Sequence, residues 1–270
     1  MARPARRRVD RADNRSPIAR SRAPAVVLAA IALLAMLAVA AWFGLARDGK
    51  GDARAAAAAP LLLFTSLPIY WAEAPDIATT LNGTAQQHWA RRAIEATRVL
   101  RPIDTLDMAT LGGRPNLLMI QPRPLSPDEN VALDAWVAGG GRLLLFADPA
   151  LTAESTFALG DRRRPHDIVL LSPILARWGL RLEFDEDQAA GERAEELGEG
   201  AAVPVNLPGR FVVVSGGRPD SACRLGAQAL VAECRVGRGK VIAIADAALF
   251  EGSDDAPRRA ALDALLARTF

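Results

Sequence analysis

The stretch that decides the fold is residues 116–149, NLLMIQPRPLSPDENVALDAWVAGGGRLLLFADP. Two apolar runs, 116–121 and 142–147, are each long enough for one strand and too short for a buried helix. Between them Ser126 stands as an N-cap, Pro127 takes the first helical position, and Glu129 falls at the spacing that closes a capping box. Val131, Leu133, Ala135, Trp136 and Val137 carry the helix, and Gly139, Gly140 and Gly141 end it. Strand, helix and strand with short joins predict a right-handed parallel crossover, and hence an α/β fold with a largely parallel sheet flanked by helices.

Working outward from that unit, residues 61–65 form another apolar run bounded by Pro60 and Pro68, which suits a buried strand. Residues 82–100 read as a helix, with Thr84 and Gln87 at capping-box spacing and Trp89, Ala93, Ala96 and Leu100 on one face. Pro102 stops it, and a short strand is expected at 103–106. Residues 150–170 are a polar excursion. Ser172 and Pro173 predict the cap of a short helix to Trp178, and Leu180, Leu182 and Phe184 alternate as in a half-exposed strand. Residues 185–200 are acidic and read as loop. Short strands are then expected at 211–214, 223–225, 230–236 and 240–245, the last two joined as a hairpin by Gly237, Arg238 and Gly239. A helix over 257–268 closes the chain, with Ala261, Leu262, Leu265 and Leu266 on one face.

The other end of the chain sets the expected compartment. Residues 25–46 carry no charge. At about 1.5 Å per residue they make a helix of roughly 33 Å, enough for a hydrocarbon core of about 30 Å. Eight arginines precede this span against Asp10 and Asp13. That bias places residues 1–24 in the cytoplasm, as a basic tail that also suits anionic inner-membrane lipid, and exports the rest. The competing reading is a cleavable signal peptide, since Ala53-Arg54-Ala55 has cleavage-site character, but the apolar stretch exceeds the usual h-region of about 7–15 residues. The expected organisation is tail 1–24, transmembrane helix 25–46, linker 47–59 and an exported, periplasmic α/β domain 60–270.

Charge supports that division. The chain is +2 overall, but residues 1–54 hold eleven Lys/Arg against four Asp/Glu, leaving 22 against 27 beyond them. A mildly acidic domain is a poor partner for nucleic acid. Cys223 and Cys234 are the only cysteines. In an oxidising compartment such a pair reads as a disulfide; two small buried hydrophobes is the alternative.

Chemistry is sparse. His88 and His166 are the only histidines and lie far apart, with no metal-ligand spacing. Gly237-Arg238-Gly239-Lys240 fails as a phosphate loop, because Val241 follows the lysine and a strand follows the glycines. Ser66 follows a strand without the glycine frame of a nucleophile elbow. Neither a cofactor nor a metal is expected. Asp148 and Asp246 each end an apolar strand. At that edge of a parallel sheet ligands bind, and two carboxylates can hold a cation, a sugar hydroxyl or a partner's arginine; alternatively each serves its own turn. Tyr70 and Trp71 beside Pro68 complete the expected binding region, with Ser66 at the same strand end.

Several blocks together carry a resemblance: TSLPIYW (65–71), DAWV (134–137), GGRLLLFADP (140–149), SPILARWGLRL (172–182) and GRGKVIAIADAALF (237–250). The first four in this order resemble the GldG-like proteins, auxiliary membrane-anchored components of gliding-type and uncharacterised ABC transport systems, and the last looks like a related group of uncharacterised bacterial membrane proteins. The resemblance implies a flavodoxin-like or class I glutamine-amidotransferase-like sheet without that fold's catalytic cysteine. It also implies an ABC permease and ATPase as partners, any ATP work belonging to those subunits. The chain departs from longer relatives in having its one expected span at the N-terminus. The expectation is therefore a non-enzymatic single-pass inner-membrane protein that binds a partner or ligand for an ABC-type transport system. The alternative is a divergent envelope hydrolase of the amidotransferase-like fold.

Overall fold

A computed structural model describes residues 59–73, 87–198 and 201–270. The expected tail, transmembrane span and nearly all of the linker lie outside these residues. Among the described residues no helix is long and apolar enough to cross a membrane.

Parallel strands need both faces covered, so their sequences are apolar throughout. Five segments meet that condition or pair beside one that does: β1 (Leu61–Thr65), β2 (Leu100–Pro102), β3 (Asn116–Ile120), β4 (Arg142–Phe146) and β11 (Gly239–Ile244). They lie side by side in the order β2-β1-β3-β4-β11, all parallel. Two antiparallel strands, β10 (Val231–Val236) and β9 (Ser221–Gly226), extend the sheet to seven. The fold is thus a mixed α/β architecture on a largely parallel sheet, as the 116–149 stretch predicts.

The crossovers set the layers. From β1 the chain passes through α1 (Trp89–Glu95) to β2 on one side, then returns past β1 to β3 and continues the other way. Right-handed crossovers running in opposite directions put their helices on opposite faces. Accordingly α1 neighbours the last helix, α5 (Ala256–Thr269), which lies along β4 and β11. The helix between β3 and β4, α3 (Pro127–Ala138), neighbours α2 (Met108–Leu111) and α4 (Ser172–Arg177) instead.

The capping box of α3 is present as read, with Ser126 and Glu129 each bonded to the other's backbone N–H. Glu129 does more than cap. It also accepts from Leu106 N and pairs with Arg123 at 2.7 Å; the Arg123 bonds, working against burial and joined by the Ser126 and Leu106 amides, lower its carboxyl to about 2. Gly140 takes φ 116°, which only glycine adopts without strain. A Cβ on Gly141 would sit 2.5 Å from the Trp136 ring, so the glycine run both stops the helix and lets β4 pass under it.

Several boundaries differ from the sequence reading. The helix expected to reach Leu100 ends at Glu95, because Thr97 and Arg98 close its last turn on Ile94 O and Leu61 N then bonds Val99 O. Pairing with β1 outweighs a helical periodicity there, so the strand expected at 103–106 is instead Leu100–Pro102. The described cap of α1 is His88, whose Nδ1 accepts from Ala90 N; Thr84 lies outside the described residues. The cap of α4 is Leu171 and makes no side-chain bond, so Ser172 is the first helical residue and not the cap. The acidic segment expected as loop holds β6 (Arg193–Gly198), paired antiparallel with β7 (Ala201–Val205). Its Arg193 and Glu196 are exposed and Glu195 half-buried, while Val203 and Val205 of its partner are buried. A second two-stranded sheet joins β5 (Leu180–Glu183) to β8 (Arg210–Val213).

The glycine hairpin between β10 and β11 forms as expected, and Cys223 and Cys234 are bonded. Register explains the bond: the two residues face each other directly across β9 and β10, Cα to Cα 4.0 Å.

Candidate functional site

In an open parallel sheet the ligand crevice lies beyond the carboxyl ends of the strands, where the winding direction reverses. Here the reversal falls between β1 and β3, whose neighbours β2 and β4 lie on opposite sides. Register places Thr65 opposite Ile120, and Ile120 opposite Phe146. Ser66, Gln121 and Ala147 therefore form one row along the carboxyl edge. Backbone bonds continue the ladder through them, Ser66 N to Gln121 O at 3.2 Å, Gln121 N to Phe146 O at 2.9 Å and Ala147 N to Ile244 O at 2.8 Å.

On the β1–β2 side of this row opens a cavity of about 360 Å³. Ser66, Tyr70 and Trp71 line it, as does Glu73, and the loop after β2 contributes Asp104. Phe157 and Arg163 of the polar excursion complete the wall. Trp71 is 72% exposed and its ring meets Tyr70 edge-on at 4.9 Å. Arg91, from α1, stacks over the Tyr70 ring at 3.8 Å and donates to its carbonyl at 2.7 Å, which fixes the ring. Arg163 covers Phe157 in the same way at 4.1 Å. Glu73 is held by Ser155 Oγ, Thr156 N and Thr156 Oγ1 at 2.7–2.8 Å. Burial pushes its carboxyl up, but those bonds and the nearby Arg164 outweigh it and hold the group below its usual range.

Ser66 is occupied. Its hydroxyl donates to Gln121 O at 2.5 Å and accepts from His166 N at 3.3 Å, both backbone groups. A serine acting as nucleophile needs a base on its proton. Here the proton's acceptor is a peptide carbonyl, which is no base, and only the backbone of His166 takes part.

Asp148 and Asp246 sit on the other side of the row. The Phe146–Ile244 register puts both two residues beyond a matched pair, so the carboxylates are neighbours as their positions suggested. They do not face the cavity. Asp148 is 0% and Asp246 2% exposed. Each oxygen accepts one backbone N–H: Asp148 from Ala150 and Ala247, Asp246 from Ala248 and Asn206, at 2.6–2.9 Å. The carboxylates hold their own turns and the end of β7, the second of the two roles the sequence allows them. Burial, and then the neighbouring acids, drive both well above an ordinary carboxyl, Asp148 to about 7 through burial and Glu251, Asp246 to about 8 through burial, Asp148 and Glu251.

The excursion is bonded back across the strand end at Asp148. Val169 N bonds Asp148 O, and Leu151 N bonds Asp167 O. Gln121 locks that segment down. Its side chain donates to Asp148 O and His166 O at 3.1 and 2.8 Å and accepts from Asp148 N at 2.9 Å. The residue is fully buried with φ 41°, a left-handed conformation unusual outside glycine. Sequence reasoning passed over Gln121, Glu73, Asp104, Phe157 and Arg163. Only Gln121 carried a signal, as a lone amide closing an apolar run before Pro122.

Comparison with solved structures gives low overall similarity. An exo-β-1,4-mannosidase from Opitutaceae bacterium strain TAV5 is 14% identical over 78% of this chain and 34% of its own, with a TM-score of 0.42. A β-galactosidase from Bacillus circulans sp. alkalophilus is 12% identical over 78% and 31%, with a TM-score of 0.44. A putative ThuA-like protein from Bacteroides uniformis ATCC 8492 is 12% identical over 78% and 90%, with a TM-score of 0.38. The chain thus spans about a third of the length of the two glycosidases. No curated protein matches it by sequence. The model of a family described as a domain of unknown function, DUF4350, matches residues 84–253, and the chain belongs to that family.

Proposed function

We propose that this chain is a non-enzymatic binding component of an ABC-type transport system in the inner membrane. It crosses the membrane once through residues 25–46, with its N-terminus in the cytoplasm and its α/β domain in the periplasm. The contact region is the crevice beyond β1 and β2, around Tyr70 and Trp71. Support for a transport role comes from the resemblance of blocks 65–71, 134–149 and 172–182 to the GldG-like proteins. The parallel order 2-1-3-4 followed by β11 agrees with the flavodoxin-like sheet that resemblance implies.

The observation that carries the binding reading over the hydrolase reading is Ser66. Its proton rests on a peptide carbonyl and its lone pair on a peptide N–H, at the one strand end of the crevice where a nucleophile would stand. Exposed aromatic surface beside it suits recognition.

The test is co-purification from membranes with a photo-crosslinking residue placed at Trp71, compared with Tyr70→Ala and with a crosslinker at exposed Val131 on α3. The expected result is an ABC permease or ATPase subunit captured at position 71 and not at 131. Equal capture at both, or a C-terminal reporter active only in the cytoplasm, overturns the assignment.

A further inference from the structure

The crevice at β1 and β2 has a chemical character that narrows its ligand. The one cation on its wall and one of its two carboxylates are already hydrogen-bonded, and the other carboxylate, Asp104, has only the field of nearby Arg123. Arg163 is paired with Asp161 through both Nε and Nη2, at 3.1 and 2.7 Å. Glu73 has three hydrogen bonds and Arg164 beside it. An anionic ligand therefore finds no open cation. A cationic ligand finds two of the three rings closed, since Arg91 and Arg163 already lie over Tyr70 and Phe157 and repel a further positive charge, and only Trp71 open.

Among the described residues lining the crevice, three side-chain polar groups make no hydrogen bond at all. The Asp104 carboxylate, the Tyr70 hydroxyl and the Trp71 indole N–H have no hydrogen-bond partner, and all three residues line the cavity. Together they offer an acceptor, a donor-acceptor and a donor around an exposed apolar ring. The volume of about 360 Å³ sits at the low end of small-ligand sites, about 300–1,000 Å³.

We infer that this crevice binds a neutral carbohydrate of one or two rings, its apolar face on Trp71 and its hydroxyls on Asp104 and Tyr70. The inference rests on the crevice being the contact region proposed above and names its ligand class.

The test is fluorescence titration of the full chain in a detergent without a sugar headgroup. Cellobiose and N,N′-diacetylchitobiose are the probes, with choline, inorganic phosphate and a decaproline peptide beside them. The expected result is a saturable change with at least one disaccharide, weakened at least tenfold in Trp71→Ala and severalfold in Asp104→Asn, and none with the three comparators. Saturation by choline, phosphate or the peptide without a disaccharide response overturns the inference. So does silence toward every probe, or sugar binding indifferent to Trp71→Ala. Capture of ABC subunits is scored separately, so a chain that binds its subunits but no sugar refutes only the ligand class.

Discussion

The buried carboxyl pair makes the protein's stability depend on pH in a direction opposite to most acidic residues. Both groups rise on folding, from 3.8 to about 7 for Asp148 and about 8 for Asp246. The folded state then binds more protons than the unfolded state above pH 4, so stability falls as pH rises through the folded values. His88 works the other way, because burial lowers it; its contribution is complete above about 6.5, which leaves the window from pH 6.5 to 8 to the aspartates. Integrating the two titrations across that window gives a loss of about 2 kcal/mol. For a domain of this size that is a drop in Tm of roughly 4–8 °C. The groups with lowered values, Glu129 at about 2 foremost, lose their contribution only as pH falls below the normal carboxyl range. Stability should therefore peak in mildly acidic solution. Asp148→Asn supplies the control. It forfeits one of two backbone N–H bonds, costing about 1–3 kcal/mol at pH 6.5, and removes the charge that helps raise Asp246. Its melting profile should start lower and run flatter, converging on the wild type near pH 8. Melting of both proteins by intrinsic fluorescence at constant ionic strength is the assay. A wild-type Tm that is level or rising from pH 6.5 to 8, or a parallel mutant profile, would refute the account of the pair.

Two further outcomes test the excursion and the staple. Gln121→Ala removes three bonds and strands Asp148 N and two carbonyls, so it should cost about 3 kcal/mol or more and open residues 150–170 to limited proteolysis; unchanged cleavage there would show that the excursion is held by other means. Replacing Cys223 and Cys234 together with alanine frees a loop of 11 positions and should lower stability by about 3 kcal/mol on the chain-entropy account, read by denaturant unfolding. Wild type with the bridge reduced should fall by a similar amount.

Those outcomes also mark where the sequence was informative. Elements whose own residues supply cap, period and stop were readable: α3 has its serine, proline, glutamate and glycines within sixteen positions, and its capping box forms. The Cys pair was read from its even number in an expected oxidising compartment, and the structure forms the bond through the local register of β9 and β10. What could not be read depends on distant partners. Leu100 satisfies a helical pattern and a strand position equally, and only its pairing with β1 decides. The β6 segment, RAEELG, has the composition of a solvated loop and becomes a strand because β7 offers a ladder. For the site, the strand-end rule located Ser66, Tyr70 and Trp71 at the crevice. It set Asp148 and Asp246 at the same edge but had no means of knowing that residues 150–170 fold back onto Asp148 or that Asn206 closes on Asp246.

That difference between the two halves of one sheet edge has a physical cause. Beyond β4 and β11 the chain continues into turns with many unpaired amides, and a carboxylate is the most economical acceptor for two at once. Having done so, it must lose either its solvent or its partners, and Gln121 decides the matter by tying the excursion to the strand end at Asp148. Beyond β1 and β2 the loops are proline-bearing and aromatic, with fewer amides to satisfy: Pro68 and Pro102 supply no N–H, and Tyr70 and Trp71 turn surface into contact area. The row Ser66–Gln121 is the border, its hydroxyl and amide spent on backbone. On the proposed reading the ligand site at this edge lies on the β1–β2 side, and substitutions at Asp148 or Asp246 should report on folding, not on recognition.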